Sequence, residues 1–190
     1  MSKLFTTVIQ NRLYKWCEEK NILPESQAGF RKKRGCEDQM FCLNALIQSR
    51  LSRNAKLHVL FVDFKRAFDS VRQEILWEKM NNLGISAKII NILRSLYDNA
   101  NLIVRCEEGL TKPIPVTMGY FKGKSPLLFS IYISDLENYM EENGASPVNV
   151  GKNNKINQLL FADDTCVPAD TKIGLQKKIN IKQILPRNEP

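Results

Sequence analysis

Apolar residues recur every three or four positions near the start of the chain. Leu4, Phe5, Val8, Ile9, Leu13 and Trp16 fall on one face of a helix over 3–20, with Ser2 as a possible cap. Pro24 marks the loop that follows, and Met40, Leu43, Leu46 and Ile47 are the inward face of a second helix over 37–52. The pattern then changes. The segment 58–61, rich in β-branched and aromatic residues, reads as a buried strand. Val71, Ile75, Leu76, Met80 and Leu83 predict a helix over 71–83 that stops at Gly84. Another helix, from Ser86, carries Ile89, Ile90, Leu93, Leu96 and Tyr97. The stretch 102–106 reads as a strand, and Pro113 and Pro115 break any regular ladder after it. Ser125-Pro126 is a helix start, cap followed by proline, for a helix to about Glu142. A hairpin with strands over 148–150 and 156–161 and a turn at 151–154 leads into Asp163-Asp164, with 165–167 returning as the partner strand. Helices and short strands in this order predict an α+β fold, and the end from Pro186 is a polar, frayed tail.

The 190 residues are 43% apolar, enough for one or one and a half globular domains. The net charge of +8 and a pI near 9.3 suit a polyanionic partner without proving one. Arg31, Lys32, Lys33 and Arg34 form a basic run, and Lys172, Lys177, Lys178 and Lys182 a looser group. A run of this kind is either a solvated loop or a phosphate-binding one. The five cysteines have no C-x-x-C spacing and there is one histidine, so a zinc site is excluded and small reduced core residues are expected. No transmembrane run or secretory leader is visible, which predicts an intracellular protein, nuclear or cytoplasmic.

The candidate chemistry lies in two acidic clusters. Phe61-Val62-Asp63 and Leu159-Leu160-Phe161-Ala162-Asp163-Asp164 each end an apolar strand in carboxylates. Adjacent aspartates repel unless a cation lies beside them, although an Asp-Asp at a hairpin tip is also ordinary turn chemistry. Brought alongside Asp63, the pair would complete a cage for divalent ions suited to in-line phosphoryl displacement.

Five blocks in order carry a resemblance. They are Gln27-Ala28-Gly29-Phe30-Arg31-Lys32-Lys33-Arg34-Gly35-Cys36-Glu37-Asp38-Gln39, the stretch 61–71, Leu83-Gly84-Ile85 with Leu96-Tyr97, the stretch 127–136, and Phe161-Ala162-Asp163-Asp164. Over 3–182 the chain resembles the reverse transcriptase of non-LTR (LINE-like) retrotransposons. That resemblance implies a right-hand polymerase, with partial fingers over 1–58, a palm over 59–185 and a tail over 186–190. It implies an RNA-directed DNA polymerase that uses an RNA template, a DNA primer and dNTPs. Two Mg²⁺ ions, replaceable by Mn²⁺, would be held by Asp63, Asp163 and the main chain at Phe64, with Asp164 as a peripheral carboxylate. Phe68 would lie under the incoming sugar and exclude a 2′-hydroxyl, while Asp69 caps the next helix. Lys122 and Gly123 would belong to the nucleotide-binding loop, and Arg31 to Arg34 would meet nucleic-acid phosphates.

The chain departs from the family in that loop. Lys122-Gly123-Lys124-Ser125-Pro126 has lysine where the family has glutamine and is shorter by two residues, worth about 200° of rotation if a helix absorbed them. The family's segment before residue 1 and its thumb and endonuclease are not in this sequence, so a fragment of weak or absent activity is expected. The alternative function is a non-catalytic remnant acting as a basic nucleic-acid- or protein-binding module. A metal-dependent phosphohydrolase lacks a second ligand cluster.

Overall fold

The computed structural model describes residues 2–64, 67–68, 71–99, 101–106, 109–115, 126–150 and 154–184. The chain opens with α1 (Ser2–Glu19), whose buried stripe is Ile9, Leu13 and Cys17. Leu4, Phe5 and Val8, expected on the inward face, are exposed, because the first two turns run past the core. In α2 (Cys36–Leu51) only Leu46 is fully buried, and Met40 and Ile47 face outward. The helix is rotated from the face its apolar residues suggest. Its inward side carries Gln39, which donates to the carbonyls of Ser26 (2.9 Å) and Leu160 (3.2 Å), and Arg50, which pairs with Asp170 at 2.6 Å.

β1 (His58–Val62) is followed by α3 (Gln73–Asn82) and α4 (Ala87–Asp98). Gly84, at φ +84°, ends the first of these helices in the left-handed region glycine tolerates. The strand expected over 102–106 is instead a set of two-residue pieces: β2 (Asn101–Leu102), β3 (Arg105–Cys106), β4 (Gly109–Leu110) and β5 (Ile114–Pro115), paired β2 with β5 and β3 with β4. The helix expected from Ser125 to Glu142 is two, α5 (Pro126–Tyr132) and α6 (Leu136–Glu142). Lys79 reaches into the break and donates to the Tyr132 carbonyl (2.6 Å), its ammonium 2.5 Å from Asp135. That partner for a terminal carbonyl stabilises a stop the apolar pattern does not reveal.

β6 (Val148–Val150) and β7 (Asn154–Ile156) pair alone, and β8 (Leu159–Phe161) and β9 (Asp164–Ala169) form a separate hairpin. The chain then enters α7 (Lys172–Ile184), a helix not expected from the sequence. The main sheet runs β1-β9-β8, all antiparallel, with Leu60 opposite Val167 and Val62 opposite Thr165.

One apolar cluster joins α1, α3, α4 and α5 through Leu13, Cys17, Leu76, Met80, Tyr97 and Ile131. The other packs Leu136, Met140, Val167 and Ile181 together with Leu60 and Leu175. Each such side chain, fully buried, contributes about 1.5–3 kcal/mol. Trp77 is a core residue, edge-on to Tyr97 at 5.6 Å. The cysteines are all free, but only Cys17 and Cys166 are buried, and Cys36 and Cys106 lie at the surface. The 186–190 tail lies outside the described residues.

Candidate active site

The sheet register brings the two acidic clusters together. Val62 pairs with Thr165, so Asp63 leaves β1 beside Asp164, the first residue of β9. Phe161 pairs with Asp164, leaving Ala162 and Asp163 as a two-residue turn. All three carboxylates therefore sit at one end of one sheet. Leu60 packs toward the helices, and alternation along the strand sends Phe61 and Asp63 from the opposite face. There Phe61 is 70% exposed, an apolar surface next to the carboxylates. Asp63 and Asp164 are exposed and Asp163 is half-buried.

Among the described residues, no ion pair engages these aspartates, and no three metal-ligating side chains already converge into a cage. The donors nonetheless fit Mg²⁺ by their chemistry. It takes hard oxygen ligands, commonly one or two carboxylates, and fills its remaining positions with water and substrate phosphate.

The turn has a brace of its own. Ala162 has φ +59°, a conformation that costs an L-residue roughly 1–2 kcal/mol. The side chain of Gln27, wholly buried, contacts both polar groups of that residue's backbone. Its Oε1 accepts from Ala162 N (3.1 Å) and Gly29 N (2.8 Å), and its Nε2 donates to Ala162 O (3.2 Å). The segment 26–28 runs along the outer edge of β8, with Leu160 N donating to Ser26 O (2.8 Å) and Ala28 N to Leu160 O (2.9 Å). Gly29 lies so close that a Cβ there would sit 2.1 Å from Ala162 N. Sequence reasoning did not assign Gln27, Gly29 or Gln39 to the site, since contacts spanning over a hundred residues have no local signature.

The basic run divides in two. Arg31 is turned inward with a side chain 7% exposed, donating to Glu18 (3.0 and 2.8 Å) and to the Pro24 carbonyl (3.0 Å). Those hydrogen bonds hold the Glu18 carboxyl below its ordinary pKa, against its partial burial. Arg34 is paired with Glu25. Lys32, over the Tyr14 ring at 5.3 Å, and Lys33 are exposed.

Phe68 is half-buried between Phe129 (5.1 Å) and Phe30 (6.2 Å), and Phe64 meets Phe129 edge-on at 6.4 Å. Through these rings Phe64 and Phe68 both pack on Phe129 of α5. Asp69, Lys122 and Gly123 lie outside the described residues.

Residues 1–185 match the family model described as reverse transcriptase (RNA-dependent DNA polymerase). A probable RNA-directed DNA polymerase from transposon BS of Drosophila melanogaster is 30% identical over 138 residues, 72% of this chain and 15% of that protein. The Pol polyprotein of the type-1 retrotransposable element R2 of Nasonia vitripennis is 25% identical over 178 residues, 93% of this chain and 17% of its own length. The chain thus spans less than a fifth of these relatives. In fold it is similar to telomerase from Candida tropicalis, solved with a telomeric RNA fragment, at a TM-score of 0.64 and 16% identity over 97% of this chain and 30% of that one. Telomerase from Candida albicans gives 0.62 at 15% identity, over 94% and 32%.

Proposed function

We propose, because this chain belongs to the reverse transcriptase (RNA-dependent DNA polymerase) family, that its carboxylate end is the nucleotidyl-transfer centre of a non-LTR retrotransposon polymerase. The α+β architecture corresponds to a palm with part of the fingers. The observation that carries the reading is the strand register, which sets Asp63 beside the Asp163-Asp164 turn across about a hundred residues of chain.

In this reading Asp63 and Asp163 hold two Mg²⁺ ions, helped by the main chain at Phe64, and Asp164 orients the pair. When bound, those ions make the primer 3′-hydroxyl more acidic and offset charge on the triphosphate. The hydroxyl oxygen gives up its proton to water and bonds to the α-phosphorus of a dNTP, the bond from that phosphorus to the oxygen bridging to the β-phosphate breaks, and pyrophosphate leaves. Phe68 supports the sugar, with Phe129 and Phe30 limiting its retreat. Lys122 and Gly123 contact the nucleotide. Lys32 and Lys33 meet backbone phosphates of template or primer, while Arg31, spent on Glu18, shapes their loop.

The test is primer extension on oligo(dT)-primed poly(rA) with Mg²⁺ and with Mn²⁺, alongside Asp163→Asn, with Mn²⁺ binding measured for the Asp63→Asn/Asp163→Asn pair. Extension lost in the variant, and ion binding lost in the pair, are expected. Ion binding unchanged in the pair refutes the centre. Duplex binding without extension, from folded protein, would instead favour a non-catalytic nucleic-acid-binding module.

A further inference from the structure

We propose that Gln27 is a positioning residue for the aspartate turn, its buried carboxamide fixing the backbone of Ala162 and through it the direction of Asp163. This rests on the reading of Asp63 and Asp163 as the metal-holding pair. The turn has a reason to need such a brace. With only two residues between paired strands, and an alanine at φ +59°, the local chain does not prefer the conformation that presents Asp163. Asp163 is half-buried and adjacent in sequence to Asp164, and like charges on neighbouring residues add a further push outward.

The carboxamide is matched to the task. One oxygen accepts from two N–H groups while the nitrogen donates to the carbonyl of the same Ala162, so both polar atoms of that residue's backbone are held by one rigid plane. Gln27 is itself held, since its main chain lies along Leu160 and Gln39 ties the preceding carbonyl to α2. Gly29 leaves the space in which this fits. The same arm belongs to the loop carrying Lys32 and Lys33. A single short segment therefore joins the proposed phosphate contact to the proposed metal centre.

The experiment uses the full chain and three readouts: amide hydrogen exchange at Ala162 in metal-free protein, Mn²⁺ titration by electron paramagnetic resonance, and primer extension. Gln27→Met should lose protection at Ala162, weaken Mn²⁺ binding about tenfold and slow extension up to ~100-fold, the cost of about a 1 Å misplacement. Gln27→Asn, one methylene short of reaching the turn, should behave the same way. Gln27→Glu, kept neutral by its full burial, reproduces both the acceptor for the two N–H groups and the donor to the Ala162 carbonyl, and should retain protection and Mn²⁺ affinity. If Gln27→Met does not fold, the contrast between Gln27→Asn and Gln27→Glu decides. Wild-type Mn²⁺ affinity in Gln27→Asn, or affinity lost while Ala162 stays protected, overturns the proposal. Asp163→Asn run in parallel separates the two claims. If it leaves Mn²⁺ binding intact, the metal-holding reading fails; if it abolishes binding while the Gln27 variants do not, only the positioning role fails.

Discussion

Replacing Arg31 by methionine separates the structural part of the basic run from the part that meets nucleic acid. Methionine fills much of the volume of the arginine stem but removes all three hydrogen bonds, two to Glu18 and one to the Pro24 carbonyl. Glu18 is 32% exposed and regains water, so losing that pair costs about 1 kcal/mol. The Pro24 carbonyl loses a partner at about 1 kcal/mol more. The sum, about 2 kcal/mol, should lower the urea midpoint by ~1 M for a slope near 2 kcal/mol/M. Lys33→Gln should leave the midpoint unchanged and flatten the dependence of log duplex affinity on log salt by ~0.7–0.9. Arg31→Met should not change that slope. A pH series adds a signed check. Glu18 has its pKa depressed in the folded state, so its contribution is complete above the unfolded value near 4.3 and disappears as pH falls through the lower folded value. The wild type should lose stability more steeply than Arg31→Met on that acid limb. An unchanged urea midpoint for Arg31→Met, or a salt slope reduced as much as in Lys33→Gln, refutes the division of roles.

Phe68→Val should raise incorporation of ribonucleotides relative to deoxynucleotides by ~10-fold or more. Its stability cost should be about 1–3 kcal/mol, because valine is too short to fill the space the ring occupies against Phe129. An unchanged ratio in single-nucleotide extension removes Phe68 from sugar selection. Burial brings the Lys178 ammonium down from 10.5 to about 8, despite the charges of Asp170 and Glu137. The unfolded chain then holds the extra proton between those values, so stability should rise by about 3 kcal/mol from below pH 8 to above 10.5. Lys178→Met should lack that rise in urea midpoints taken at pH 7.5 and 9.5, and parallel slopes would refute it.

Much of the helical framework was legible because one apolar stripe defines each helix, as Leu76 and Met80 do between β1 and Gly84. The misreadings of α2 and α7 share a cause: polar residues that face inward. Gln39 and Arg50 turn α2 away from its apolar side, leaving Met40 outside. Lys178, 1% exposed and donating to the carbonyls of Asn157 (3.1 Å) and Pro168 (2.9 Å), sits on the stripe of α7 with Leu175 and Ile181. A lysine there makes a core-facing helix read as a basic surface segment. The two acidic clusters were legible as strand ends, and their resemblance named a chemistry. Their side-by-side register is a pairing of distant strands that no local pattern encodes. The brace at Gln27 was invisible for the same reason, and Lys79, which stabilises the break between α5 and α6, is likewise a long-range partner.

The pairing of β1 with β9 also sets a timetable. A pairing between residues so far apart requires closure of a large loop, an entropic cost that slows folding relative to local hairpins and helices. The β8–β9 hairpin is local and can form by itself in microseconds. At a synthesis rate of about 5–20 residues per second, β1 leaves the ribosome roughly 5–20 s before its partner. Through that interval its hydrogen-bonding edge has no β9 to pair with and Leu60 has no Val167 to pack on, and an unpaired apolar strand of this kind readily recruits a strand from another chain. Aspartates that meet last in translation make the carboxylate centre a late product of synthesis. Slowing the ribosome between the two clusters should increase aggregation before it diminishes any property of the finished fold.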